Sequence, residues 1–177
     1  MTPTEEQVVL VNERDMELGT MEKLEAHIQG KRHRAFSVLI FNDKGEYLLQ
    51  KRANHKYHSG GLWSNTVCSH PRPAEAIADA GSRRLMEEIG LSANVEPTFF
   101  FEYRAELDNN LVEHELDHVL CGKSNDTGVV NPEEVSELKF VEENALLKDM
   151  KQNPENYTAW FKIIMFEHLE KIKAYKG

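Results

Sequence analysis

The segment from Ala74 to Ile89, closed by Gly90, limits the possible folds more than any other part of the chain. Ile77, Ala80, Arg84, Leu85 and Ile89 recur at helical spacing. Pro73 suits a first turn, and Gly90 can take the left-handed conformation that ends a helix. This predicts one helix over 74–89, apolar on one side and densely charged on the other. Around it the sequence reads mostly as strand. Val8–Val11 is a short apolar run ending at Asn12. Ala35–Phe41 and Tyr47–Arg52 flank a turn at Asn42-Asp43-Lys44-Gly45 and form a hairpin. Leu62–Cys68 is a short buried segment. Phe99–Ala105 and Val112–Cys121 make a second hairpin about Asp108-Asn109-Asn110, and Glu137–Val141 is a further strand. Thr20 is placed as the cap of a short helical turn carrying Lys23 and His27. Glu142–Lys151 and Thr158–Tyr175 close the chain as two helices, the last with Phe161, Ile164, Met165, Leu169 and Ile172 on one side. Strands and helices do not alternate regularly. The expected class is therefore α/β in the α+β sense, a mixed sheet flanked by helices, in one domain spanning 1–177.

Charge narrows the function. With 21 Lys+Arg against 30 Asp+Glu, the net charge of −9 lacks the basic footprint that nucleic acid requires. It still permits a local cation cluster around one small phosphorylated ligand. No apolar stretch approaches the roughly 18 residues of a membrane span. The start, Met1-Thr2-Pro3-Thr4-Glu5-Glu6, shows no basic flank before an apolar segment, so a secretory signal is not expected. Cys68 and Cys121 stand 53 positions apart without a CxxC pair, which fits a reducing cytoplasm better than a disulfide framework. No second apolar stripe is evident on the terminal helix, so the expectation is a monomer.

Candidate chemistry clusters in a few places. In Glu113-His114-Glu115-Leu116-Asp117 the three carboxylates share one strand face. A generic acidic strand face is usually solvated, but two carboxylates at i, i+2 also suit a hard divalent cation. His27 lies one helical turn after Lys23, His33 opens the first long strand, and His70 follows Cys68. Three imidazoles with two carboxylates would suit Mg²⁺, Mn²⁺ or Zn²⁺ without choosing among them.

The helix carries a more specific pattern. Glu75, seven residues, then Arg83-Arg84-Leu85-Met86-Glu87-Glu88-Ile89-Gly90-Leu91 closely resembles the Nudix box. Ser69 replaces its first glycine, and Arg84 replaces the first Glu of its Arg-Glu pair. That exchange of an anion for a cation counts against pyrophosphate hydrolysis, while the Nudix fold remains implied. Together with Trp63-Ser64-Asn65-Thr66-Val67-Cys68-Ser69-His70-Pro71, Arg52-Ala53 with Lys56, Phe101-Glu102-Tyr103-Arg104-Ala105, Glu113-His114-Glu115 and Trp160, the chain resembles the type 1 isopentenyl-diphosphate Δ-isomerases from about Val8 to Trp160.

The resemblance implies a 1,3 proton shift interconverting isopentenyl and dimethylallyl diphosphate in isoprenoid biosynthesis. It implies Cys68 and Glu115 as the proton-transferring pair, with Tyr103 and Trp160 beside the reacting carbons. It gives His27, His33, His70, Glu113 and Glu115 as ligands of one divalent metal, Mn²⁺, Zn²⁺ or Mg²⁺. Glu88 would hold a Mg²⁺ that rides with the diphosphate. Lys23, Arg52 and Lys56 would contact the phosphates, with Ser69 as a further donor. Arg83 and Arg84 are expected to pair with carboxylates such as Glu87 in at least one case, and His114 is expected to be structural. A Nudix hydrolase of another diphosphate and a metal-stapled binding module are the competing readings.

Overall fold

The structure, a computed structural model, describes residues 6–177; the Met1–Glu5 start, on which the reading of the leader depends, lies outside the described residues. In chain order the elements are β1 (Gln7–Val11), β2 (Glu17–Glu22), α1 (Lys23–Gln29), β3 (His33–Phe41), β4 (Tyr47–Arg52), β5 (Trp63–Ser64), β6 (Val67–Ser69), α2 (Ile77–Ile89), β7 (Val95–Glu106), β8 (Val112–Lys123), β9 (Val135–Val141), α3 (Glu143–Gln152), α4 (Ala159–Glu167) and α5 (Leu169–Lys176). The mixed sheet with flanking helices agrees with the expected class.

Local chemistry explains most of these elements. At the 42–46 turn the Asn42 side chain accepts from the amides of Lys44 and Glu46, both at 3.0 Å, and Gly45 takes φ 74°. That fixes the turn from β3 into β4. The two strands pair only where Phe41 meets Tyr47, and β4 then leaves β3 to pair antiparallel with β9 and β5, so the expected hairpin is confined to its turn. The cap of α1 is Glu22, whose carboxylate accepts from Leu24 N and Glu25 N at 3.0 and 2.8 Å. Thr20 does not cap it, because it is paired with Val9 in the β1–β2 ladder. β2 escapes a hydrophobicity reading because Glu17–Thr20 is exposed and shows no apolar alternation.

The expected 74–89 helix begins only at Ile77. Ala74 sits at φ 65°, outside helical space, so Pro73 precedes the helix rather than opening it. Gly90 ends it at φ 58°, donating to the carbonyls of Leu85 and Met86. The terminal helix is also two helices. His168 breaks it at φ −125°, with its ring against Phe99 and Phe101, and α5 then buries Ile172.

β3 is the organising strand. It pairs antiparallel with β6 and parallel with β8 over its whole length, from His33 opposite Glu115 to Phe41 opposite Lys123. β8 in turn pairs antiparallel with β7. One face of this sheet packs Phe36, Val38, Ile40 and Leu120 against Ala80, Leu85 and Ile89 of α2. The other packs Leu39, Phe101, Val119 and Cys121 against Trp160, Phe161, Ile164 and Met165 of α4. Burying side chains of this size stabilises each layer by about 1.5–3 kcal/mol apiece. The α2 layer is close enough that a side chain at Gly81 would meet Leu120 and Val95 at 3.2 Å. Flanked on both sides, β8 is no solvated edge: Glu113, Glu115 and Asp117 are 5%, 3% and 1% exposed.

Candidate active site

The strand register brings the polar residues together. Tyr103, Glu115 and His33 stand abreast on β7, β8 and β3. Cys68 on β6 is opposite Ser37 on β3, and Ser37 shares a face with Val119 and hence with Asp117, Glu115 and Glu113. Cys68 and Glu115 therefore look into one space from either side of β3. Their backbones are two strand spacings apart across β3 and, because Cys68 is level with Ser37 and Glu115 with His33, also offset along it, roughly 16 Å apart in all. This space is a cavity of about 160 Å³ whose walls include Cys68, Ser69, Glu88, Glu113, Glu115 and Trp160. It is smaller than the roughly 300–1,000 Å³ typical of drug-sized ligands.

Next to the cavity, which His70 and Glu115 line, His27, His33, His70 and Glu115 each bring a ligand atom within 4.8 Å of the others. Glu115 Oε1 lies 3.0 Å from His70 Nε2, 3.3 Å from His33 Nε2 and 3.9 Å from His27 Nε2. His27 Nδ1 donates to the Lys23 carbonyl and His33 Nδ1 to the Lys31 carbonyl, both at 2.8 Å. Since a carbonyl can only accept, those contacts fix the tautomer and turn both Nε2 lone pairs inward. His27 Nε2 is buried without a hydrogen-bond partner, as is Glu113 Oε2. Inward lone pairs facing a carboxylate need a positive charge among them, and nitrogen with carboxylate oxygen is a donor set that divalent cations accept. The residues fit the metal that the sequence implied. Glu113, placed in that set by the sequence, groups in the structure with His27 and His58.

Burial alone would raise the Glu115 carboxyl, but its contacts with His27, His33 and His70 hold it well below the ordinary range. Burial, reinforced by the charge of Glu115, pushes Glu113 well above it. Burial also pushes the Cys68 thiol far up, against the nearby Arg52 guanidinium. Tyr103 donates its hydroxyl to Glu115 Oε2 at 2.9 Å, and burial keeps that phenol protonated.

Lys23, Arg52, Lys56 and Arg84 also line the cavity. Arg52 is 7% exposed; it approaches Cys68 Sγ at 3.8 Å, donates to the His58 carbonyl at 3.2 Å, and leaves Nε buried without a partner. Lys23 pairs with Glu6, and Lys56 with Glu134. Glu88 is raised to about 7, chiefly by burial, and its Oε2 has no hydrogen-bond partner. Ser69 lies on the wall. Both box arginines make the expected ion pairs. Arg83 grips Glu75 through two nitrogens at 2.7 and 3.0 Å and also reaches Glu87. Arg84 contacts Glu87 at 2.7 Å, Glu88 at 3.4 Å and Glu134 at 3.5 Å. His114 faces Glu102 at 2.8 Å and the Gly30 carbonyl, on the other side of β8.

Several wall residues were not singled out by sequence: Tyr57, His58 and Glu134. Behind the wall, Asn65 accepts from Trp160 Nε1 at 3.1 Å and donates to the Val38 and Val67 carbonyls, which fixes the indole plane. Only its place in Trp63-Ser64-Asn65 hinted at Asn65. The others depend on long-range pairing that no local pattern announces.

Residues 31–161 match the NUDIX domain, so the fold and the carboxylate-bearing helix define a Nudix superfamily protein. Among solved structures, a Deinococcus radiodurans protein aligns at TM-score 0.67 and 19% identity over 84% of this chain and 90% of its own. A MutT protein from Methanosarcina mazei aligns at 0.63 and 19%, over 80% and 95%. At that identity the likeness shows the fold alone. Curated sequences go further. The isopentenyl-diphosphate Delta-isomerase of Pectobacterium atrosepticum is 48% identical over 97% of this chain and 96% of its own length. That of Aliivibrio fischeri strain ES114 is 47% identical over 94% and 98%. The chain belongs to the type 1 isopentenyl-diphosphate Δ-isomerase family.

The buried imidazoles carry a pH dependence. Burial lowers His70 to about 4 and His58 to about 3, well under the unfolded value of about 6.5. The unfolded chain then takes up protons that the folded one refuses. These two imidazoles contribute stability to the metal-free protein that is full above about pH 6.5 and is lost as pH drops toward 4, while Glu88 and Glu113, raised by burial, contribute with the opposite sign. His58→Asn should therefore alter the melting-temperature profile of the chelated protein across that range; an unaltered profile would contradict it. Neither cysteine is in a disulfide, as the spacing suggested, and among the described residues no helix is long and apolar enough to cross a membrane.

Proposed function

We propose that this cavity is the active site at which the chain interconverts isopentenyl and dimethylallyl diphosphate, with Cys68 and Glu115 as its proton-transferring pair. The observation that carries the assignment is that a neutral thiol and a buried carboxylate, on opposite sides of β3, line one cavity together with Lys23, Arg52 and Lys56. An alkene is a weak base. Moving its double bond requires a proton added at the terminal carbon and another removed at carbon 2, through a tertiary carbocation. Placing acid and base on opposite walls lets both transfers occur without turning the substrate. Which residue gives the first proton depends on the direction of reaction.

Burial keeps the Cys68 thiol protonated and therefore able to donate. Tyr103 holds Glu115 by its hydroxyl. Trp160, held by Asn65, puts an indole on the wall, and its face already has the Arg52 carbon at 5.3 Å. The same face can stabilise a transient carbocation by about 2 kcal/mol or more when desolvated. The chemistry requires that water, which would capture the cation, be kept from the bound substrate.

Arg52, Lys23, Lys56 and Ser69 bind the diphosphate. His27, His33, His70, Glu113 and Glu115 hold a divalent cation, and Glu88 a Mg²⁺ beside the phosphates. When bound, these ions supply positive charge that fixes Glu115 and neutralises the diphosphate. The Nudix hydrolase reading is weaker. Arg84 pairs with Glu87 and Glu88, and Glu75 is committed to Arg83, so the carboxylates of the box are largely engaged.

Supplying isopentenyl diphosphate with Mg²⁺, with and without chelator, tests the reading. Dimethylallyl diphosphate should form and stop forming on chelation. Phosphate release from a nucleoside diphosphate conjugate, without any isomerisation, would overturn it. Arg52→Gln should raise KM about 10–100-fold, the loss of a charge-assisted hydrogen bond to phosphate. An unchanged KM would remove Arg52 from the phosphate clamp.

A further inference from the structure

His58 lies in the loop between β4 and β5, and the proposed chemistry gives it no task. It is nevertheless built into the cavity. It is 6% exposed, with one ring nitrogen, Nδ1, 3.1 Å from Ser59 Oγ. Its ring is edge-on to Trp160 at 6.1 Å and 5.9 Å from the His27 ring. Its loop is tied down: the His58 carbonyl accepts from Arg52, the Tyr57 carbonyl from Asn109 at 3.2 Å, and Ser59 N donates to Asp108. His58, His27 and Glu113 each bring a ligand atom within 4.8 Å of the others. Two of these three residues carry buried atoms with no hydrogen-bond partner, His27 Nε2 and Glu113 Oε2. Such atoms are costly unless something binds them.

We infer that His58 is an additional ligand for the divalent cation, joining His27 and Glu113 on the side of the site that faces Trp160. This role presupposes the metal centre proposed above. His27 has one free lone pair, because its Nδ1 is committed to the Lys23 carbonyl. The group with His33, His70 and Glu115 and the group with His58 and Glu113 therefore share one ion rather than holding two at once. Glu113 and His58 enter as a pair, which explains why a carboxylate one strand step from Glu115 groups with the β4–β5 loop.

The test uses the full chain, stripped with chelator and titrated with Co²⁺, read by calorimetry and by the visible Co²⁺ bands. His58→Ala should weaken Co²⁺ binding about 10–100-fold, in the range seen when the surroundings of a ligand set are damaged. It should also shift the bands, and added imidazole should restore them. His55→Ala, at an exposed histidine of the same loop, should match wild type. If His58→Ala does not fold, His58→Gln supplies the same readouts. Wild-type affinity and bands in the folded variant would overturn the inference. Failure of the wild-type chain itself to bind Co²⁺ would instead overturn the metal centre on which it rests.

Discussion

Glu115→Gln should abolish turnover while leaving the chain folded. The carboxylate accepts from Tyr103, faces three imidazoles and lines the same cavity as Cys68. An amide keeps the shape but loses the charge. It cannot take up the substrate proton, and it offers the cation one neutral oxygen where a carboxylate stood. General acid–base catalysis alone is worth about 10²–10⁴ in rate, and weakened metal affinity adds to the loss. The expected result is a fall in kcat of at least about 10⁴-fold with an unchanged circular dichroism spectrum. Activity within tenfold of wild type would remove Glu115 from the proton path.

Cys68→Ala should cost slightly less, a fall in kcat of about 10²–10⁴-fold with KM little changed, because the thiol handles a proton but holds no charge on the substrate. Among the described residues Cys68 has Arg52 as its one hydrogen-bond contact, at 3.8 Å, and it sits beside the α4 core, so alanine leaves a small gap and no buried charge. Burial keeps this thiol neutral. Titration of the wild-type thiol should give a pKa above the ordinary value near 8.5. A pKa well below 7 would describe a thiolate and exclude Cys68 as the neutral acid.

The sequence made some parts of this molecule legible and hid others, for physical reasons. Turns written in Asn, Asp and Gly announce both strand reversals, and Gly90 announces the end of α2, but β4 pairs with β9 rather than along β3. The start of α2 was misplaced because helical spacing cannot reveal that Ala74 sits at φ 65°. The break at His168 was invisible because the apolar spacing continues through it, and only the ring's packing on Phe99 and Phe101 shows the turn. The parallel pairing of β3 with β8 joins segments some 80 residues apart, and no local pattern specifies such a contact. That pairing puts Glu115 beside His33, turns an apparently solvated acidic face into a buried one, and brings Glu115 to the cavity that Cys68 also lines. His27, His33 and His70, singled out by resemblance to a family, converge in the fold. His58 lay outside that resemblance, and only the three-dimensional arrangement brings it to the site.

The central claim is that this cavity moves a double bond by adding one proton and removing another, without breaking the diphosphate. The most direct measurement is to incubate the wild-type enzyme with isopentenyl diphosphate and Mg²⁺ in D₂O and follow carbon-bound hydrogen and phosphorus together by NMR. Deuterium should enter the carbon skeleton of dimethylallyl diphosphate while the diphosphate signals remain intact. Release of phosphate with the alkene unmoved and undeuterated would contradict the account.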